Sequence, residues 1–151
     1  MILNDLLTKQ NVFSKIILKS GDKELSKELK VKVMRIRMAF TKAKKAFDDE
    51  VREFTEELMT DEFKELNSKE TRSEEEQSRY EELINKFNAE YQEFLYQKGF
   101  EEISDIDDKF TMDEYSDILD INAGNDVEIN GNKISAVDFM EVVMSLFVSE
   151  E

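Results

Sequence analysis

Histidine, cysteine, proline and tryptophan are all absent from this chain of 151 residues. Without histidine or cysteine there is no imidazole base, no thiolate nucleophile, no disulfide framework and no thiolate metal site. Without proline, and with only four glycines, the sequence favours long, uninterrupted helices. We therefore expect a mainly α-helical protein that is not an enzyme.

The sequence also lacks a long apolar segment and a secretory leader. No apolar run approaches the ~18 residues that a membrane-spanning helix needs. The first residues, Met1 to Asp5, have neither the basic nor the apolar region of a signal peptide. We expect an intracellular protein without membrane contact, of a cell or of a virus assembled inside one.

Charge is abundant and unevenly distributed. Charged residues make up 38% of the chain, well above the ~25% of ordinary globular domains. Residues 1–45 hold 12 Lys/Arg against 4 Asp/Glu, a balance of +8, whereas residues 46–151 hold 9 against 32, a balance of −23. Such asymmetry predicts an electrostatic partner or pairing between the two segments.

A long helical hairpin is predicted over residues 23–98. Its first helix, from Lys23 to Leu66, has apolar residues every three or four positions, as in a coiled coil. After a polar turn, Ser73 and Glu76 form a capping-box pattern that starts the second helix, and Gly99 is predicted to end it as a left-handed cap. A short link between two such helices predicts an antiparallel pair. The expected apolar seam consists of Phe40, Phe47, Phe54, Phe87, Tyr91 and Phe94.

Shorter elements are predicted on both sides of this hairpin. Residues 1–22 should form an N-terminal helix, from Leu3 to Leu18, with Gly21 beyond its end. Residues 99–151 should form an acidic linker and a small helix–β-hairpin–helix module. Within it, Thr111 and Ser135 are predicted helix caps, and the Asn130-Gly131 pair is typical of a type I′ hairpin turn. The three segments together are expected to make one structural domain.

One segment partly resembles a calcium-binding loop. Oxygen-bearing side chains alternate from Asp126 to Asn130, and Gly131 follows at the position of the turn glycine. However, Lys133 replaces an apolar residue, and Val137 replaces the bidentate glutamate at the twelfth position. We expect no metal and no cofactor.

Two charged patches are candidate partner-binding sites. The basic patch either contacts nucleic acid or pairs with the acidic C-terminal part, in the same chain or in a neighbour. The acidic patch is either a solvated surface or an imitation of a phosphate backbone. Because a chain of net charge −15 repels phosphates, we expect no direct nucleic-acid binding. The basic patch is Arg35, Arg37, Lys44 and Lys45, and the acidic patch is Glu101, Glu102, Asp105, Asp107 and Asp108.

The order of a charged helical hairpin (23–98), an acidic linker and a β-hairpin with a final helix (127–147) resembles small acidic accessory proteins of tailed bacteriophages. The resemblance implies a viral origin and either a virion component or an early inhibitor directed at the host. We therefore expect a protein–protein interaction protein, a structural or adaptor component of a phage-like assembly that binds other proteins or itself. The alternative is an acidic inhibitor, similar to some anti-CRISPR proteins, that blocks a nucleic-acid-binding enzyme.

Overall fold

The computed structural model describes residues 1–149 of the chain. The predicted fold class is confirmed: these residues are mainly helical, with two small antiparallel sheets of two strands each. The elements follow in the order α1 (Leu3–Phe13), β1 (Lys19–Ser20), β2 (Lys23–Glu24), α2 (Lys27–Leu58), α3 (Asp61–Ser68), α4 (Glu74–Gly99), α5 (Met112–Asn122), β3 (Val127–Ile129), β4 (Asn132–Ile134) and α6 (Ala136–Phe147).

The main hydrophobic core lies where α1, the first half of α2, α5 and α6 meet. At its centre is a cluster of four phenylalanines, Phe13, Phe40, Phe110 and Phe147, each no more than 1% exposed. The ring of Phe13 lies 5.5 Å from that of Phe40, 6.1 Å from that of Phe110 and 5.2 Å from that of Phe147. This cluster joins the two ends of the sequence, because α1 and α6 both contribute to it.

The second half of α2 and α4 form the predicted antiparallel hairpin, which extends away from the main core. The rings of Phe54 and Phe94 stack at 4.1 Å, and Glu50 forms an ion pair with Lys98. At the far end, a second, smaller core is built around Phe63, Leu66 and Leu83.

The prediction of one unbroken helix from Lys23 to Leu66 is wrong at both ends. Lys23 lies in β2, and α2 begins only after Ser26, whose hydroxyl accepts a hydrogen bond from the Leu29 amide at 3.2 Å. The helix stops at Leu58, because the Thr60 hydroxyl caps a new helix by accepting from the Phe63 amide at 3.2 Å. The resulting bend lets α3 lie against α4 and bury Phe63, which meets the rings of Tyr80 and Phe87.

The predicted N-terminal helix is also too long. It ends at Phe13 instead of Leu18, and Gly21, with φ +61°, lies in the two-residue turn between β1 and β2. A distant side chain fixes the backbone that follows α1. The buried amide of Asn122 accepts from the Ile17 amide at 3.0 Å and donates to the Ile17 carbonyl at 3.2 Å. These bonds hold the backbone at Ile17 outside a helix.

Gly99 does not have the predicted left-handed conformation. It is the last residue of α4, and the positive-φ glycines among residues 1–149 are Gly21 and Gly131. Gly99 is buried because α1 passes directly over it, and an added Cβ atom would collide with the side-chain amide of Asn4. The glycine therefore serves close packing between two helices.

The C-terminal module matches its prediction closely. Thr111 and Glu114 form a complete capping box at the start of α5, and the Ser135 hydroxyl caps α6 by accepting from the Asp138 amide. Between these helices, β3 pairs with β4 so that Val127 faces Ile134. The turn residues Asn130 and Gly131 have φ values of +52° and +79°, as a type I′ turn requires.

Candidate interaction surfaces

The outer side of α2 carries an exposed apolar row. Val31, Met34 and Met38 are 57%, 51% and 71% exposed, although α2 buries its opposite side in the main core through Leu29, Val33, Ile36 and Phe40. The spacing of the exposed residues, three and then four positions, keeps them on one side of the helix. Contiguous exposed apolar residues on an ordered helix are typical of a binding surface.

Cations surround this row. A shallow groove of about 440 Å³ is lined by Met34, Arg37, Met38, Thr41, Lys42 and Lys45. Across residues 27–45 the single acidic residue is Glu28, against eight Lys/Arg. We call the surface formed by Val31, Met34, Met38 and the adjacent Arg35, Lys42 and Lys45 the α2 face.

The structure separates the four residues of the predicted basic patch. Arg35 and Lys45 are exposed. Arg37 is partly buried, and its Nη2 donates to the Ile16 carbonyl at 2.6 Å, so it holds the chain after α1 in place. Lys44 forms an ion pair with Asp48 on the same helix at 2.8 Å. Arg35 and Lys45 therefore remain available to a partner, together with Lys42, which is outside the predicted patch.

Ion pairs within the chain connect the basic and acidic segments. The alternative of internal pairing is thus realised for part of the basic segment, leaving the α2 face with its cations exposed. The pairs are Lys9–Asp108 at 3.0 Å, Lys23–Asp120 at 3.1 Å, Lys32–Glu114 at 2.8 Å, and the Met1 ammonium with Glu102 at 3.2 Å and with Asp105 at 2.9 Å.

The Lys32–Glu114 pair should make stability depend on pH. Burial by itself raises the pKa of Glu114, but hydrogen bonds from Lys32 and Thr111 outweigh it and lower the pKa from 4.5. A carboxylate with a lowered pKa contributes stability above its unfolded pKa, and that contribution is lost as the pH falls through the folded pKa. We expect Glu114→Gln, which retains an acceptor for the capping box, to cost about 0.5–1 kcal/mol at pH 7.

Urea unfolding of both proteins at pH 7 and pH 3.5 measures this effect. The difference in unfolding free energy between the two proteins should shrink at pH 3.5, because the Glu114 carboxyl of the unfolded chain then takes up a proton more readily than that of the folded chain. An equal difference at both pH values would show that the charge of Glu114 is not what stabilises this contact.

The predicted acidic patch is only partly a free surface, and its inclusion of Asp108 is wrong. Asp108 is 2% exposed and accepts a hydrogen bond from Lys9. Glu101 is bound by Lys98 at 2.7 Å, and the N-terminal ammonium lowers the pKa of Asp105 by hydrogen bonding to it. Asp107 is exposed. Backbone bonds between the linker and the N-terminus, such as Ile103 amide to Met1 carbonyl at 2.9 Å, explain why these acids lie against the basic segment.

The six residues of the predicted apolar seam are divided between the main core, the α2–α4 contact and the second core. Phe40 is fully buried in the main core, in the phenylalanine cluster, and Phe47 packs against the edge of that core. Phe54 stacks on Phe94 at the α2–α4 contact. Phe87 packs against the second core, with its ring 6.1 Å from that of Tyr91. The seam residues therefore pack within the chain, from the main core to the second core.

A second exposed apolar surface lies on α6. Val137, Val142 and Met144 are 66%, 39% and 40% exposed, and they alternate with the exposed carboxylates of Asp138 and Glu141. Helix α6 contains no Lys or Arg. We call these five residues the α6 face. It is the acidic counterpart of the α2 face.

The segment that resembles a calcium loop is occupied by other contacts. Asp126 accepts from the Ala136 amide at 3.2 Å and lies 3.8 Å from the Lys133 ammonium, while Asn130 accepts from Asn11 at 3.2 Å. Within residues 1–149, no three metal-ligating side chains gather where an ion could be held. The same residues include no helix that combines the length and the apolar character needed to span a bilayer.

Comparison with known proteins gives no relative. No protein-family model, curated protein or solved structure matches the chain.

Proposed function

We propose that this chain is a non-enzymatic protein–protein interaction protein, acting as a structural or adaptor component of a phage-like assembly in a host cytoplasm or a virion. The observation that carries this proposal is the α2 face. Met34 and Met38 are more than half exposed beside a groove rimmed by Lys42 and Lys45.

The composition of the α2 face suits a protein partner. Methionine is flexible and polarisable, so it adapts to the shape of an apolar partner surface. The surrounding lysines and arginine lie at the rim, where charges speed encounter and fix orientation more than they add affinity. A matching surface would carry apolar side chains between carboxylates, as on an acidic amphipathic helix.

Nucleic acid is a poorer match for the same surface. Single-stranded nucleic acids bind proteins through aromatic side chains on which the bases stack. The three apolar side chains of the α2 face are one valine and two methionines, so the face offers no aromatic ring. The net charge of −15 also opposes the approach of a phosphate backbone.

The identity of a co-purifying protein from the native source tests the proposal. A large capsid or tail protein bound stoichiometrically supports an assembly component. A nuclease or polymerase instead supports the second candidate, an acidic inhibitor, and contradicts the first.

One observation favours the second candidate. Residues 46–98 hold 17 Asp/Glu against 7 Lys/Arg, a balance of −10. Exposed carboxylates such as Glu74, Glu75, Glu81 and Glu82 lie along α4, and a row of charges of this kind can occupy a basic nucleic-acid channel. The inhibitor function ranks second because several of the linker carboxylates that were expected to imitate phosphates are bound within the chain.

A further inference from the structure

We propose that the α6 face of a second copy of this chain docks on the α2 face. This inference rests on the proposed function and deepens it by naming the partner. Both faces lie on ordered helices, and together they hold six of the large apolar side chains that are more than a third exposed, namely Val31, Met34, Met38, Val137, Val142 and Met144.

The two faces are complementary in charge as well as in apolar character. On α2, exposed Arg35, Lys42 and Lys45 border the apolar row, whereas on α6 the bordering side chains are Asp138 and Glu141. Contact between two copies would place methyl and methionine groups at the centre and opposite charges at the rim. Buried apolar centres with polar rims are the usual anatomy of stable interfaces.

Complementary charge argues for an α2–α6 contact over contact between like faces. Two α2 faces would bring lysines and arginines together, and two α6 faces would bring carboxylates together. Like charges opposed across an interface disfavour that pairing. A contact between unlike faces removes both repulsions at once.

The two faces cannot meet within one chain. Helices α2 and α6 both direct a buried side into the phenylalanine cluster, where the rings of Phe40 and Phe147 lie 6.2 Å apart. The exposed residues lie on the sides of the two helices that are turned away from this cluster. The contact is therefore between chains and heterologous, and a bound pair leaves one α2 face and one α6 face free at its two ends. Such contacts produce rings or open filaments.

Sedimentation of the full chain and two variants tests this inference. Met38→Glu places a carboxylate opposite Asp138 and Glu141, and the double variant Val137→Lys/Glu141→Lys places cations opposite the lysines of α2. We expect the unmodified chain to form species larger than a monomer as its concentration rises. Each variant alone should lose at least about 30-fold in association constant, the effect of an interface hot spot.

Mixing the variants is the decisive step. An equimolar mixture should associate again, because each variant supplies the intact face that the other lacks. Tyr96→Glu is the matched control, since Tyr96 is 70% exposed on α4 and outside both faces, and it should associate like the unmodified chain. Circular dichroism checks that every variant keeps its helices.

Other outcomes overturn the inference in distinguishable ways. Association that survives the α6 double variant would mean that like faces pair through α2. A chain that stays monomeric throughout the concentration series would mean that a different protein or an anionic membrane covers the α2 face. Neither result contradicts the proposed function, which is tested by the identity of the co-purified protein.

Discussion

Phe13→Ala should destabilise the protein by about 3–5 kcal/mol, the usual cost of removing a buried phenylalanine ring. Phe13 is 1% exposed, and its ring lies within 6.1 Å of three other phenylalanine rings by centroid. The cavity left by alanine would remove contacts between α1, α2 and α6 together. A domain of this size is typically stable by 5–15 kcal/mol, so the loss is a large share of the total.

Thermal and urea unfolding of the variant measure this effect. The midpoint temperature should fall by roughly 6–20 °C, since a domain of this size loses about 2–4 °C per kcal/mol. Met112→Ala is the control, because Met112 is 51% exposed, and surface changes of this kind stay within about 0.5 kcal/mol. A loss below about 1 kcal/mol for Phe13→Ala would contradict the placement of this ring in the core.

Lys9→Met should be almost as damaging, although it replaces a charged residue near the surface. Lys9 is 20% exposed and forms an ion pair at 3.0 Å with Asp108, whose side chain is 2% exposed. Methionine preserves the length and apolar stem of the lysine, but it leaves a buried carboxylate without a compensating charge. Breaking such a pair from one side costs about 3–5 kcal/mol.

The double variant Lys9→Met/Asp108→Leu separates two effects on the free energy of unfolding: the net contribution of the ion pair and the penalty for removing only one of its partners. Replacing both partners of a buried pair with apolar residues is often neutral or stabilising. We therefore expect the double variant to recover at least half of the stability lost by Lys9→Met, as measured by urea unfolding at pH 7. If the double variant is less stable than Lys9→Met alone, Asp108 is not an unfavourable buried charge in the single variant.

Local sequence signals predicted the elements whose ends depend on neighbouring residues. The capping boxes at Ser73 and Thr111 each join residues three positions apart, and the type I′ turn needs only Asn130 and Gly131. The hairpin followed from the apolar spacing of α2 and α4. These features are encoded within a few turns of helix or one strand pair, so the sequence reveals them directly.

The errors come from contacts between residues distant in sequence. Asn122 binds the backbone of Ile17, 105 positions away, and so holds it outside a helix. No local pattern near Ile17 predicts these bonds. Asp108 looked like one member of an acidic row, yet its 99-position contact with Lys9 buries it. Gly99 carries a helix-end signal in the sequence, but its close packing against Asn4 explains why a glycine is there.

The bend at Thr60 had a local signal, a threonine before two acids, which the continuous apolar spacing obscured.

The α2 face has a signal in the sequence that charge alone does not reveal. Met34 and Met38 lie outside the apolar stripe of α2, among lysines and arginines, and apolar residues at such positions indicate a second contact surface. Charge alone selected Arg37 and Lys44, which the structure shows bonded to Ile16 and Asp48. A basic patch chosen from sequence thus mixes residues that stabilise the fold with residues that remain available to a partner.

The affinity of the protein partner for two sets of variants tests the central proposal most directly. One set, Met34→Ser/Met38→Ser, removes the apolar row of the α2 face, and the other, Glu101→Lys/Asp107→Lys, reverses exposed charges of the linker. Titration calorimetry against the co-purified protein, or against the chain itself if it self-associates, should show a loss of affinity of at least about 30-fold for the first set only. Unchanged affinity for the first set, with a large loss for the second, would contradict recognition through α2 and favour an acidic inhibitor.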